Sequence, residues 1–163
     1  QMLYTAFKLD TPSAVRYPRG AGAGVPVQKE MHALPVGRGE IRRQGEKVAL
    51  LAFGSMLTPC LEAAEELNAT VVNMRFIKPL DDDLVASLAA SHDWLVTVEE
   101  NTVMGGAGGA VTESLNSQRI DVKVLQLGLP DVFIDQGDHA QMLANCGLDK
   151  HGIIQSVRSI LPG

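Results

Sequence analysis

Val98-Glu99-Glu100-Asn101-Thr102-Val103-Met104-Gly105-Gly106-Ala107-Gly108-Gly109-Ala110-Val111 reads as an apolar strand that runs through two carboxylates into a glycine-rich helix start. The strand is predicted over residues 94–99 and the helix over 106–118, because the apolar run changes to small residues and then to helical spacing. Neighbouring strand residues point to opposite faces, so Glu99 and Glu100 make a poor general acid/base pair. At least one of them is expected to be structural, capping a neighbouring helix or holding an arginine across a domain boundary. Asn101 is expected to hydrogen-bond within the loop that follows. Gly106 and Gly108 imitate the first two glycines of a dinucleotide-binding G-x-G-x-x-G. The fit fails at the third, where Val111 stands, and the next strand ends in Gln126-Leu127 rather than an acidic ribose ligand. The plainer reading is a tight turn whose small residues let the helix lie close to the sheet.

The same alternation extends outward in both directions. Upstream lie an edge strand (38–43), a buried strand (48–53), a helix (58–67), a strand (70–74) and a helix (81–90) with Asp81 as its N-cap. Downstream come a strand (122–127) and a last helix (148 or 149 to 161), whose Ile153, Ile154, Val157, Ile160 and Leu161 share one face. Apolar strands alternating with helices across short Gly or Pro turns predict an α/β fold. Its sheet should be open and mostly parallel, with helices on both faces.

The first residues belong to a different pattern. Residues 1–9 have helical spacing without an N-cap, as if the helix began earlier, and Asp10-Thr11-Pro12 stops it. Residues 13–17 read as a short strand, and from Gly20 to Gly37 the composition turns to Gly, Pro, Ala and polar residues, as in a linker. The expected division is the end of a second α/β domain (1–20), a linker (21–37) and a complete domain (38–163). With no Met at position 1, the chain is expected to be a fragment.

Composition narrows the functional classes. A net charge of −5 and a pI near 5.3 argue against general affinity for nucleic acid or an acidic membrane, so an anion site has to be local. Cys60 and Cys146 are far apart and outside any metal-binding spacing, which favours a reducing compartment. His32, His92, His139 and His151 are scattered without a partner at catalytic or metal spacing and read as solvated or capping residues.

Arg16-Tyr17-Pro18-Arg19-Gly20 is the candidate anion site, placed where a strand would end at the edge of an open sheet. The Arg19 guanidinium suits a phosphate, held by two charge-assisted hydrogen bonds, and the following Gly permits close approach. The competing reading is a solvated arginine before a linker. Arg16 reads as one half of a structural ion pair.

Taken together, Ala14-Val15-Arg16-Tyr17-Pro18-Arg19-Gly20, Arg75-Phe76-Ile77-Lys78-Pro79-Leu80-Asp81, the Glu99–Val111 stretch and Leu127-Gly128-Leu129-Pro130-Asp131, in this order, resemble the C-terminal part of the 1-deoxy-D-xylulose-5-phosphate synthases of the transketolase superfamily. The resemblance covers essentially the whole chain but only a fraction of such an enzyme. It implies a homodimeric transferase that uses thiamine diphosphate and Mg2+ to condense pyruvate with glyceraldehyde 3-phosphate, releasing CO2. The product leads to isoprenoids, thiamine and pyridoxal. It implies a bacterial cytoplasm, or a plastid if the source is a plant. It also places Arg19 at the substrate-phosphate end of the active-site channel, with Tyr17 as a channel neighbour. Arg75 to Asp81 is similar to a turn of 2-oxoacid dehydrogenase β subunits and is read as architecture. The family's Gly-Asp-Gly metal motif, its activating Glu and its essential histidines lie upstream, and Gln136-Gly137 stands where many relatives carry His-Gly. No catalytic or metal-binding residue is therefore expected in this chain. By itself it should bind no cofactor and be inactive. The alternatives are another enzyme of the superfamily, either a transketolase or a 2-oxoacid dehydrogenase β subunit, and a non-catalytic dimerisation domain.

Overall fold

The computed structural model describes residues 1–18, 24–26 and 28–161. A short helix α1 (Met2–Phe7) opens the chain, and residues 9–18 after it carry no helix or strand. The remainder is β1 (Glu40–Arg43), β2 (Val48–Phe53), a 3-10 turn (Gly54–Met56), α2 (Leu57–Leu67), β3 (Thr70–Asn73), α3 (Asp82–Ser91), β4 (Trp94–Thr102), α4 (Ala107–Ser117), β5 (Lys123–Leu129), α5 (His139–Asn145) and α6 (Lys150–Ile160). The strands form one five-stranded sheet in the order β1-β3-β2-β4-β5. β1 runs antiparallel at one edge and the other pairs are parallel. The predicted open α/β sheet is therefore the observed one.

Every residue of β2 is buried, as a central parallel strand covered on both faces requires. The two-residue period divides its side chains. Val48, Leu50 and Ala52 join Val71, Val96 and Val98 beneath α2 and α6, in a core completed by Cys60, Ala64, Ile153 and Val157. Ala49, Leu51 and Phe53 join Val72 and Leu95 beneath α3 and α4, with Val85, Leu88, Val111 and Leu115. Burial pushes the Cys60 thiol well above its ordinary value, and both cysteines are free.

The strand predicted at 13–17 does not form. An isolated strand leaves its N–H and C=O groups unpaired, and among the described residues no strand pairs with this stretch. The first residues are held at a few points instead: the Thr5 hydroxyl, almost fully buried, accepts a hydrogen bond from the Leu34 N–H at 2.8 Å. Helix α5 is absent from the sequence reading because it buries no residue and so shows no apolar period. A signal was present in Asp138-His139-Ala140-Gln141, the spacing of a capping box, and the Asp138 carboxylate does accept from the Gln141 N–H at 3.1 Å. Among the described residues no helix is long and apolar enough to cross a membrane.

Candidate functional site

In an open parallel sheet, ligand sites form outside the carboxyl ends of the strands where successive connections leave to opposite faces. Here that point lies between β2 and β4. The chain leaving β2 turns through Gly54–Met56 into α2 on one face, while the chain leaving β4 enters α4 on the other. Glu99 and Glu100 stand there within β4, which continues to Thr102 rather than ending at Glu99 as expected.

The pleat sends the two carboxylates to opposite faces, each with its own task. Glu99 is buried beneath α4. One of its oxygens accepts from the Ala107 N–H and the other from the Gly108 N–H, both at 2.8 Å. It thus satisfies two of the free donors of the helix start and places negative charge at the positive end of the helix dipole. The expected helix-capping carboxylate is therefore Glu99. The turn has to be glycine here: a Cβ on Gly106 would lie 2.5 Å from Glu99 Oε1, and one on Gly108 would lie 2.5 Å from Thr97 Oγ1. The phosphate-cradling alternative finds its donors already occupied by a side chain of the protein itself.

Glu100 faces the α2 side and collects three separate segments. Ser55 Oγ donates to Oε2 at 2.6 Å, His139 Nε2 lies 2.6 Å from Oε1, and the main-chain carbonyl accepts from Arg16 Nη2 at 2.8 Å. Burial opposes the charge on Glu100. The hydrogen bonds from Ser55 and His139, with the charges of His139 and Arg16, outweigh burial and hold the carboxyl below its ordinary value. The carboxylate sits between the hydroxyl and the imidazole, so this is not the nucleophile–base–acid order of a hydrolytic triad. Beside it, a cleft of about 280 Å³ opens between α2, α5 and the start of α6, lined by Ser55, Pro59, Glu62, His139, Leu143 and Asp149.

Of the residues singled out in the sequence, Arg16 contacts a main-chain carbonyl rather than a carboxylate, and Tyr17 is exposed. Arg19 lies outside the described residues. His139, expected to be solvated or capping, is exposed as expected but also reaches the Glu100 carboxylate. Its partner is 39 residues away, a distance at which local pattern carries no information. His92 is also engaged, with Nε2 2.8 Å from the Thr70 hydroxyl and Nδ1 3.0 Å from the Leu88 carbonyl.

The Arg75–Asp81 segment is architectural, as expected. Arg75 pairs with Glu40 of β1. Asp81 caps α3 by accepting from the Leu84 N–H at 3.2 Å, and it also holds the Gly39 N–H at 2.8 Å and Arg38 Nη1 at 3.0 Å. The chain entering β1 is thereby fastened to the start of α3. Among the described residues no three of His, Cys, Asp and Glu converge as a metal site.

A family model of the transketolase C-terminal domain matches residues 37–153. Among curated proteins, the 1-deoxy-D-xylulose-5-phosphate synthases of Nitrosospira multiformis and Nitrosomonas europaea are each 72% identical to this chain, over 99% and 97% of it. The chain spans only 26% of the length of either relative. Among solved structures, a split-gene transketolase in the form of an inactive β4 tetramer is similar with a TM-score of 0.73 and 33% identity. That match covers 78% of this chain and 43% of the other. The transketolase of Campylobacter jejuni matches with a TM-score of 0.54 at 20% identity, covering 76% of this chain and 18% of its own, a likeness of fold alone.

Proposed function

Since this chain belongs to the transketolase C-terminal domain family, we propose that it serves as the C-terminal part of a 1-deoxy-D-xylulose-5-phosphate synthase. The longer enzyme condenses pyruvate with glyceraldehyde 3-phosphate to 1-deoxy-D-xylulose 5-phosphate and CO2. The observation that carries this reading is 72% identity to synthases of that name across nearly the whole chain. The relation to transketolases is more distant, at 33% and 20% identity.

In this reading thiamine diphosphate supplies the carbanion chemistry, and its seat, with Mg2+, is formed by residues outside these 163. Residues 38–163 act as the C-terminal domain, 21–37 as a linker, and 1–20 as the end of the neighbouring domain. Arg19 holds the phosphate of glyceraldehyde 3-phosphate, so that binding energy at the unreactive end orients the acceptor carbonyl. Tyr17 flanks the same channel. Arg16, three residues ahead of Arg19, is fastened to the carboxyl edge of β4, which supports placing the phosphate contact near that edge. The enzyme works as a homodimer in the bacterial cytoplasm.

The test is an assay of the full-length polypeptide carrying this sequence. Release of CO2 from pyruvate together with 1-deoxy-D-xylulose 5-phosphate formation is expected when glyceraldehyde 3-phosphate is supplied. Formation of a transketolase product from ketose and aldose phosphates instead would overturn the assignment. In parallel, calorimetry of the 163-residue chain with thiamine diphosphate and Mg2+ is expected to show no saturable binding.

A further inference from the structure

From Pro130, just after β5, to Gly147, just after α5, no residue is buried. The residues on either side are fixed: Leu129 belongs to β5, and Leu148 is buried in the core beneath α2 and α6. Residues 130–138 carry no helix or strand, and within α5 only Leu143 packs in part against that core, with Cys146 just after the helix. Apart from the bond of the Leu148 N–H to the Leu143 carbonyl at its end, one hydrogen bond among the described residues ties this stretch to the rest of the protein. It joins His139 Nε2 to Glu100 Oε1 at 2.6 Å. The receiving carboxylate is itself held, since Ser55 Oγ donates to its other oxygen at 2.6 Å. Beneath α5 lies the cleft of about 280 Å³, with Met56 and Pro59 on its α2 side and Ala140 and Leu143 on its α5 side.

We propose that residues 130–147 form a strap that swings away from α2 between fixed ends at Leu129 and Leu148, and that the His139–Glu100 bond is its latch, with Ser55 holding the carboxylate in place to receive it. Release of the latch opens the cleft and uncovers Leu143 and Cys146. A helix as short as α5 does not persist in water by itself, so the strap unravels when it lifts and its amides exchange. The two thiols distinguish the two ways of opening. Cys146 rides on the strap, while Cys60 is fully buried in α2 and is reached only when the domain unfolds as a whole. The latch holds whichever reaction the longer enzyme performs.

The experiment is pulsed alkylation and hydrogen exchange of the full-length polypeptide, read peptide by peptide by mass spectrometry, for the natural protein, His139→Ala, Glu100→Ala and the double variant. Each single substitution is expected to speed alkylation of Cys146 and exchange of the amides of residues 142–147 about five- to thirtyfold, the range set by losing one charge-assisted hydrogen bond. Cys60 and the amides of β2 and β4 should be unchanged. The double variant should match the faster single one, because both substitutions break the same bond. His139 is half exposed and alanine is the better helix former, so neither a damaged core nor a weaker helix accounts for faster exchange in His139→Ala. That variant also keeps the test decisive if Glu100→Ala folds poorly. Unchanged Cys146 labelling in His139→Ala, a Cys146 that already reacts as a free thiol in the natural protein, or additive effects in the double variant would overturn the inference. So would a rise in Cys60 labelling in step with Cys146 in His139→Ala, since the loss would then be of the whole domain.

Discussion

The carboxylate of Glu99 and the backbone N–H of Gly108 lie 2.8 Å apart, buried under the first turn of α4, with the Ala107 N–H equally close to the other carboxylate oxygen. A side chain from the sheet therefore caps a helix that has only Gly106 at its own N-cap position. Glu99→Gln presents an amide N–H to one of the two backbone donors and loses the charge. Removing such charge-assisted bonds should cost about 2–3 kcal/mol, a fall in Tm of roughly 5–10 °C. Thermal unfolding of the purified chain measures this. A change below 1 °C would mean that the clasp contributes little.

Asp81 is the second buried cap. It differs from Glu99 in holding a neighbouring strand entry as well as its own helix. Asp81→Ala leaves the Leu84 and Gly39 donors without their acceptor and should destabilise by about 2–3 kcal/mol, whereas Asp81→Asn keeps an oxygen for the cap and should cost about half as much. Arg38, more than half exposed, should be replaceable by Ala with a far smaller loss. Urea denaturation of the three variants gives the order Asp81→Ala, Asp81→Asn, Arg38→Ala from most to least damaging.

The depressed pKa of Glu100 has a direction in pH. A carboxyl that is more acidic folded than unfolded contributes stability above its ordinary value of 4.5, and loses that contribution as pH falls through the lower folded value. The difference in urea midpoint between the natural chain and Glu100→Gln should therefore be present at pH 7 and disappear in acid. A difference that grows as pH falls below 4.5 would contradict the cause assigned to the shift.

For Arg19 the expected signature is kinetic. In the full-length polypeptide, Arg19→Ala should lower kcat/KM for glyceraldehyde 3-phosphate by about one to two orders of magnitude, the loss of one charge-assisted phosphate contact worth roughly 1.5–3 kcal/mol. Pyruvate binding should be nearly unaffected. Arg19→Lys should recover only part, since an ammonium keeps the charge but not the planar fork. Steady-state kinetics with each substrate varied in turn decides it.

The proposed domain division predicts uneven protection. Amides of β2 and β4, covered on both faces, should exchange with solvent only through global opening, while those of residues 10–18, without regular structure, should exchange quickly. Hydrogen exchange followed by mass spectrometry reads the contrast directly. Equal protection of the two regions would place the boundary elsewhere.

What the sequence by itself determined is the part governed by local period and local capping. The unbroken apolar run Val48–Phe53 is the central strand, the alternation of strands and helices is the sheet, and Asp81 caps its helix by a bond that spans three residues. Glu99 and Glu100 mark the limit of that legibility. The pleat alone required them to part, and so excluded a catalytic pair. Which of the two would cap α4 and which would gather Arg16, Ser55 and His139 depended on the face each helix occupies, a property of the crossovers. The short strand expected at 13–17 failed for the same reason, since a strand exists only where a second edge is present to pair with it. Contacts across 39, 45 and 84 residues are set by the order in which strands assemble, and no window of neighbouring residues contains that order.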